Sequence, residues 1–154
     1  MAPPGWAVRQ VFNALRPGLK EKRFHVRVDG KRQLWARLEA VLGERGRPWA
    51  LTGADAAARH NGYFRTGDTE IYTSGALMDD RAIQRALVAQ PAVREGNLVV
   101  IEAPGPSAIP DAINRAIPVA PDLLVYAELR YRGTEQAMEA ADLMLSRVLG
   151  DAAD

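Results

Sequence analysis

No cysteine occurs in the 154 residues. Its absence excludes a disulfide framework, a thiol nucleophile and a zinc site built on cysteine. No apolar run approaches the roughly 20 residues that a membrane span needs, and the opening MAPPGWAVRQ holds no apolar signal core. The two histidines, His25 and His60, stand far apart, so a zinc site lacks ligands. There is no G-x-S-x-G, which removes serine hydrolysis by that elbow. Lysine is missing after Lys31, so the carboxylates farther along have no lysine near them in sequence. What remains is 47% hydrophobic and 25% charged, an ordinary globular composition in a chain long enough to bury a core. A cytoplasmic protein without cofactor or metal is the expectation, with no membrane partner.

Charge is distributed unevenly. The net value of +1 divides into about +7 over residues 1–49 and −6 over residues 50–154. A basic third ahead of an acidic remainder points to a face that meets a polyanion, and nucleic-acid backbone is the commonest polyanion in a cell. The candidate DNA-binding residues are Arg9, Arg16, Lys20, Lys22, Arg23, Arg27, Lys31 and Arg32. The bland alternative is a set of solvated cations and internal ion pairs.

Helix and strand signals alternate along the chain. GWAVRQVFNAL reads as a helix stopped by Pro17-Gly18. In KRFHVRVDG, Phe24, Val26 and Val28 alternate with His25, Arg27 and Asp29, the period of a half-buried strand. Leu34, Leu38, Val41 and Leu42 make the stripe of an amphipathic helix that ends near Gly43 or Gly46. WALT predicts a short strand, Ala54 to about His60 a small-residue helix whose first turn Thr52 or Asp55 can serve, and TEIYTSGAL a strand. DDRAIQRALVAQ reads as a helix opened by Asp79 or Asp80 and stopped before Pro91, and Leu98–Ile101 as a buried strand. Five prolines between Pro104 and Pro121 mark an irregular connection with one helical turn at residues 111–116. This pattern predicts an α/β or α+β fold, a single mixed sheet of short strands packed by helices and ending in a C-terminal α-hairpin, with residues 1–154 as one domain.

Chemistry-bearing motifs are sparse. LTGADAAA lacks the second glycine and the Lys-Ser/Thr of a phosphate loop, so a capped core helix is its simplest reading. A metal nuclease or nucleotidyltransferase would need grouped carboxylates for Mg²⁺, with Glu102, Asp111, Asp122 and Glu128 as the candidates, yet their spacing matches no such motif. Asp122 suits the first turn of a helix begun by Pro121, where the dipole favours an acid. That helix carries Leu124, Ala127 and Tyr131 on one face and stops at Gly133. Thr134 then caps a second helix with Met138, Ala141, Leu145 and Val148 as its buried stripe. No catalytic residue is assigned.

The run VAPDLLVYAELRYRGTEQAMEAADLML resembles the closing motif of AbiEi-type antitoxins, transcriptional regulators of type IV toxin–antitoxin systems. Pro121, Val125, Tyr126, Leu129, Gly133, Glu139, Ala140 and Ala141 stand in the motif's places, and Glu128 replaces its usual Asp. WALTGADAAA, TEIYTSG and GNLVVIEAP are similar to further family segments in the same order, so the resemblance covers most of residues 48–149, with GWAVRQ more weakly. It implies a non-enzymatic regulatory domain acting in transcriptional autoregulation and toxin neutralisation. The functional partner would be a nucleotidyltransferase-like toxin that is not bound directly. The winged helix-turn-helix that precedes this domain in the family has no counterpart before Trp6, so operator reading is expected to lie outside these residues. What the basic segment 1–49 would add is nonspecific phosphate contact. Self-association through the small-residue helices is the remaining partner reading.

Overall fold

The computed structural model describes residues 10, 12–61, 68–74, 76–92, 96–110 and 117–153. A helical segment α1 (residues 12–15) runs into a 3₁₀ turn at Arg16–Gly18 and then strand β1, Glu21–Val26. Helix α2 (Lys31–Leu38) passes directly into a π-helical turn at Glu39–Gly43, followed by β2 (Trp49–Thr52), α3 (Gly53–Asn61) and β3 (Thr69–Thr73). Next come α4 (Ala76–Asp79), α5 (Arg81–Leu87), β4 (Ala89–Pro91) and β5 (Leu98–Glu102). The chain closes on α6 (Asp122–Arg132) and α7 (Glu135–Ala153).

Among the described residues the strands form one mixed sheet in the order β2-β3-β5-β1-β4. Only β3 and β5 run parallel; the other pairings are antiparallel. The α/β expectation therefore holds, with a five-stranded mixed sheet and the two final helices at the C-terminus. Register partners share a face of a sheet. Ala50, Tyr72, Ile101 and Glu21 lie in one row, which faces α6, while Trp49, Thr73 and Glu102 belong to the opposite face, covered by α2 and the π turn. Phe24, Leu34, Leu38, Leu42, Leu51, Ile71, Leu98 and Ile101 are fully buried, and the removal of such apolar surface from water stabilises the fold.

Several local expectations hold for the reasons given. In β1, Phe24 and Val26 are buried and His25 is exposed. Asp80 caps α5, accepting from the Ala82 and Ile83 amides at 3.0 and 3.1 Å. Gly133 ends α6 at φ 68°, and Thr134 Oγ1 accepts from the Ala137 amide at 3.1 Å. Others change. The amphipathic helix does not run regularly to Gly43: from Glu39 it widens into a π turn, and the Glu39 carboxylate receives the Trp49 indole N–H at 2.9 Å. A Cβ at Gly43 would stand 2.7 Å from the same carboxylate. The helix expected to run to just before Pro91 stops at Leu87: Val88 takes a left-handed conformation (φ 57°) and turns the chain into β4, an edge strand that tolerates Pro91.

Helix α6 does not have the single stripe read from Leu124, Ala127 and Tyr131. Val125 to Leu129 are all buried, because α6 lies between the sheet, α3 and α7, and Tyr131 is 39% exposed. The buried face of α7 is likewise rotated to Ala137, Ala140, Ala141 and Met144, whose mostly small side chains let it approach α6 and α3 closely. Met138 and Leu145 are partly covered, and Val148 is outside the side chains described. The helical turn expected at 111–116 also lies outside the described residues.

Candidate nucleic-acid interface

Several basic residues of the first third are taken up by the chain's own acids. Alternation along β1 places Lys22 on the side of Phe24, with its Nζ 5.6 Å from that ring, and Arg23 on the opposite side. Arg23 pairs there with Asp68, and Lys31 pairs with the buried Asp55. Asp55 also accepts from Thr69 Oγ1 at 2.5 Å, so it ties α3 to β3 and α2. Arg16 departs furthest from expectation: its side chain is 2% exposed and held by its own chain's acids, which removes it from reach of an external phosphate. Lys20, Lys22, Arg27 and Arg32 are exposed, and Arg9 lies outside the described residues.

Lys22 instead shares a groove of about 710 Å³ with Arg81, Gln84 and Arg85 of α5 and with Asp79. The two arginines escaped the charge argument because they belong to the acidic two-thirds of the chain. A local signal was present, an i,i+4 arginine pair on one helix with no carboxylate three or four residues away on either side.

Arg16 belongs to a buried ion network on the α6 face of the sheet. Glu128, at 0% exposure, accepts from Arg16 Nε at 3.1 Å on both oxygens and from the Tyr72 hydroxyl at 2.8 Å. Arg16 Nη2 stands 2.7 Å from Glu21 Oε1, and Arg132 pairs with Glu21 and lies 3.0 Å from Glu70 Oε1. The Arg16 guanidinium is 4.6 Å from the centre of the Tyr131 ring, against which Phe12 packs edge-on. Two guanidiniums and three carboxylates thus join the N-terminal segment, β1, β3 and α6. Charges removed from water persist only when paired and hydrogen-bonded in this way.

Burial pushes Glu70 up to about 7, with Arg132 opposing and Glu128 reinforcing the shift. Burial would raise Glu21 as well, but the hydrogen bonds and charges of Arg132 and Arg16 outweigh it and hold that carboxyl below its ordinary value. Tyr72 is pushed well above 10 by burial and by the neighbouring Glu128 charge. Both arginines are raised, since the carboxylates more than offset the effect of burial. Glu70 Oε2 is buried without a hydrogen-bond partner, and Gly53, at φ 66°, leaves the space that this oxygen fills.

The carboxylates considered for a metal are not brought together. Glu128 is enclosed in the network, Asp122 sits in the first turn of α6, and Asp111 lies outside the described residues. Glu102 is on the other face of the sheet, where it lines a cavity of about 790 Å³ with Glu39, Trp49 and Thr73. Among the described residues no group of three or more His, Asp or Glu is arranged to hold a metal ion. No described helix is long and apolar enough to cross a membrane.

The model of the AbiEi antitoxin family, transcriptional regulators of type IV toxin–antitoxin systems, matches residues 10–150. The chain belongs to this family. Comparison with curated proteins and with solved structures gave no match. In this AbiEi-family chain the match extends to the basic segment as well as the tail, so β1, Arg16 and the groove all lie within it. The motif residues of the tail are chiefly structural: Val125, Tyr126, Leu129, Ala140 and Ala141 are buried, Pro121 and Gly133 bound α6, and Glu128 anchors Arg16.

Proposed function

We propose that this chain is a non-enzymatic regulatory module of the AbiEi antitoxin type, acting in autoregulation of its operon and in neutralising a nucleotidyltransferase-like toxin without gripping it. Its direct partner is DNA, contacted through backbone phosphates by the exposed cations Lys20, Lys22, Arg27 and Arg32. Supporting this is their exposure: Lys20, Lys22, Arg27 and Arg32 stand at the surface, whereas Arg16 is buried against Glu128.

The test is titration of a labelled mixed-sequence duplex. Each phosphate contact contributes roughly −0.9 to the slope of log affinity against log salt. Four contacts predict an affinity loss of about 100-fold between about 50 and 200 mM salt. Binding that is indifferent to salt, or absent at both concentrations, overturns the reading.

A further inference from the structure

We propose that Arg81 and Arg85, facing Lys22 across the groove between α5 and the β1–β4 edge, form a seat for a nucleic-acid backbone phosphate. The inference rests on the DNA reading above and names a site for it that the basic segment alone does not supply.

The fold assembles this seat from distant parts of the chain. Asp80 starts α5, so Arg81 and Arg85 fall one turn apart on its exposed side while Ile83 and Leu87 turn into the core. The left-handed Val88 then folds the chain back into β4, which pairs with β1. Alternation along β1 directs Lys22, and not Arg23, to the same side. Among the described residues that line this concavity are three cations, Lys22, Arg81 and Arg85, and one carboxylate, Asp79.

Neither arginine is held by an ion pair within the described residues, in contrast to Arg16, Arg23, Lys31 and Arg132. Like charges one helical turn apart repel, and an anion placed between them relieves that repulsion. Gln84, the remaining polar side chain of α5 in the groove, donates to the Leu77 carbonyl at 3.1 Å and so holds α5 to α4. Guanidinium forks suit a phosphodiester, which offers two oxygens to paired donors.

The experiment is the duplex titration over a salt series with the full chain and an Arg81→Gln/Arg85→Gln double variant. Loss of two phosphate contacts makes the log–log slope shallower by about 1.8. The variant therefore loses about tenfold less affinity than the wild type between about 50 and 200 mM salt. An Arg81→Lys/Arg85→Lys variant keeps the charge and should retain the wild-type slope, an outcome that a merely structural role would not produce. If the wild type binds with a steep slope and the Gln variant keeps that slope, the seat is refuted while the DNA reading stands. If the wild type does not bind, both fall.

Discussion

Glu70→Gln isolates the acid that the ion network holds least comfortably. Burial pushes the Glu70 carboxyl from 4.5 to about 7, and glutamine keeps the shape of the neutral acid but cannot ionise. With Glu70 neutral, the two guanidiniums of Arg16 and Arg132 face two carboxylates, Glu21 and Glu128; ionised, it makes a third. The folded state holds this proton more tightly than the unfolded chain does. The stability it contributes is therefore fully present below pH 4.5 and is lost as pH rises through about 7. At about 1.4 kcal/mol per pKa unit, the full loss is about 3 kcal/mol, of which about 2–3 kcal/mol falls between about pH 5 and 8. The other displaced groups titrate elsewhere, Glu21 below its ordinary value and Tyr72 well above 10. Urea melts of both proteins from pH 5 to 8 read the effect: with an m-value of about 2 kcal/mol per M, the wild-type midpoint should fall by ~1 M relative to the variant. Parallel midpoint curves across that range would refute the argument.

Two further perturbations probe the same region. Glu128→Ala removes the acceptor of the buried Arg16 Nε and of the Tyr72 hydroxyl, leaving Arg16 with Glu21 as its remaining carboxylate. Removing one partner of a buried ion pair costs about 3–5 kcal/mol, so a urea-melt loss of under about 1 kcal/mol would contradict the burial described. Gly53→Ala forces a side chain to φ 66° and into the Glu70 carboxylate. The backbone contribution alone is about 1–2 kcal/mol, and the expected fall in Tm is at least ~3 °C; an unchanged Tm would show that the helix start shifts freely.

Features governed by a few neighbouring residues were legible in the sequence. The alternation of Phe24 and Val26, the Asp80 cap and the Gly133-Thr134 joint follow from local geometry, and the structure has them where expected. Strand β4 was not legible, because three residues ending in Pro91 carry no period and exist as a strand only through β1. The π turn was equally hidden: it begins at Glu39, whose carboxylate meets the Trp49 indole ten residues on, a contact that no local period announces. Charge summation found the cations but not their destinations: Arg16 meets Glu128 from the far end of the chain, Arg23 meets Asp68 and Lys31 meets Asp55. Arg81 and Arg85 were concealed for the converse reason, since surrounding acids cancelled them in a segment total.

The position of β1 in the sheet has a consequence for how the molecule is made and how it is undone. It is the earliest of the described strands, yet it lies between β5 and β4, with Phe24 paired to both Leu98 and Pro91. During synthesis it must wait for both neighbours to emerge, a long loop closure that slows completion of the sheet. Tension applied to the segment ahead of residue 21 would load an interior strand across two ladders at once, with the Arg16–Glu128 pair as the first bond in line. The chain thus enters the sheet on an interior strand, and extraction from that end would part β1 from β5 and from the β4 edge together.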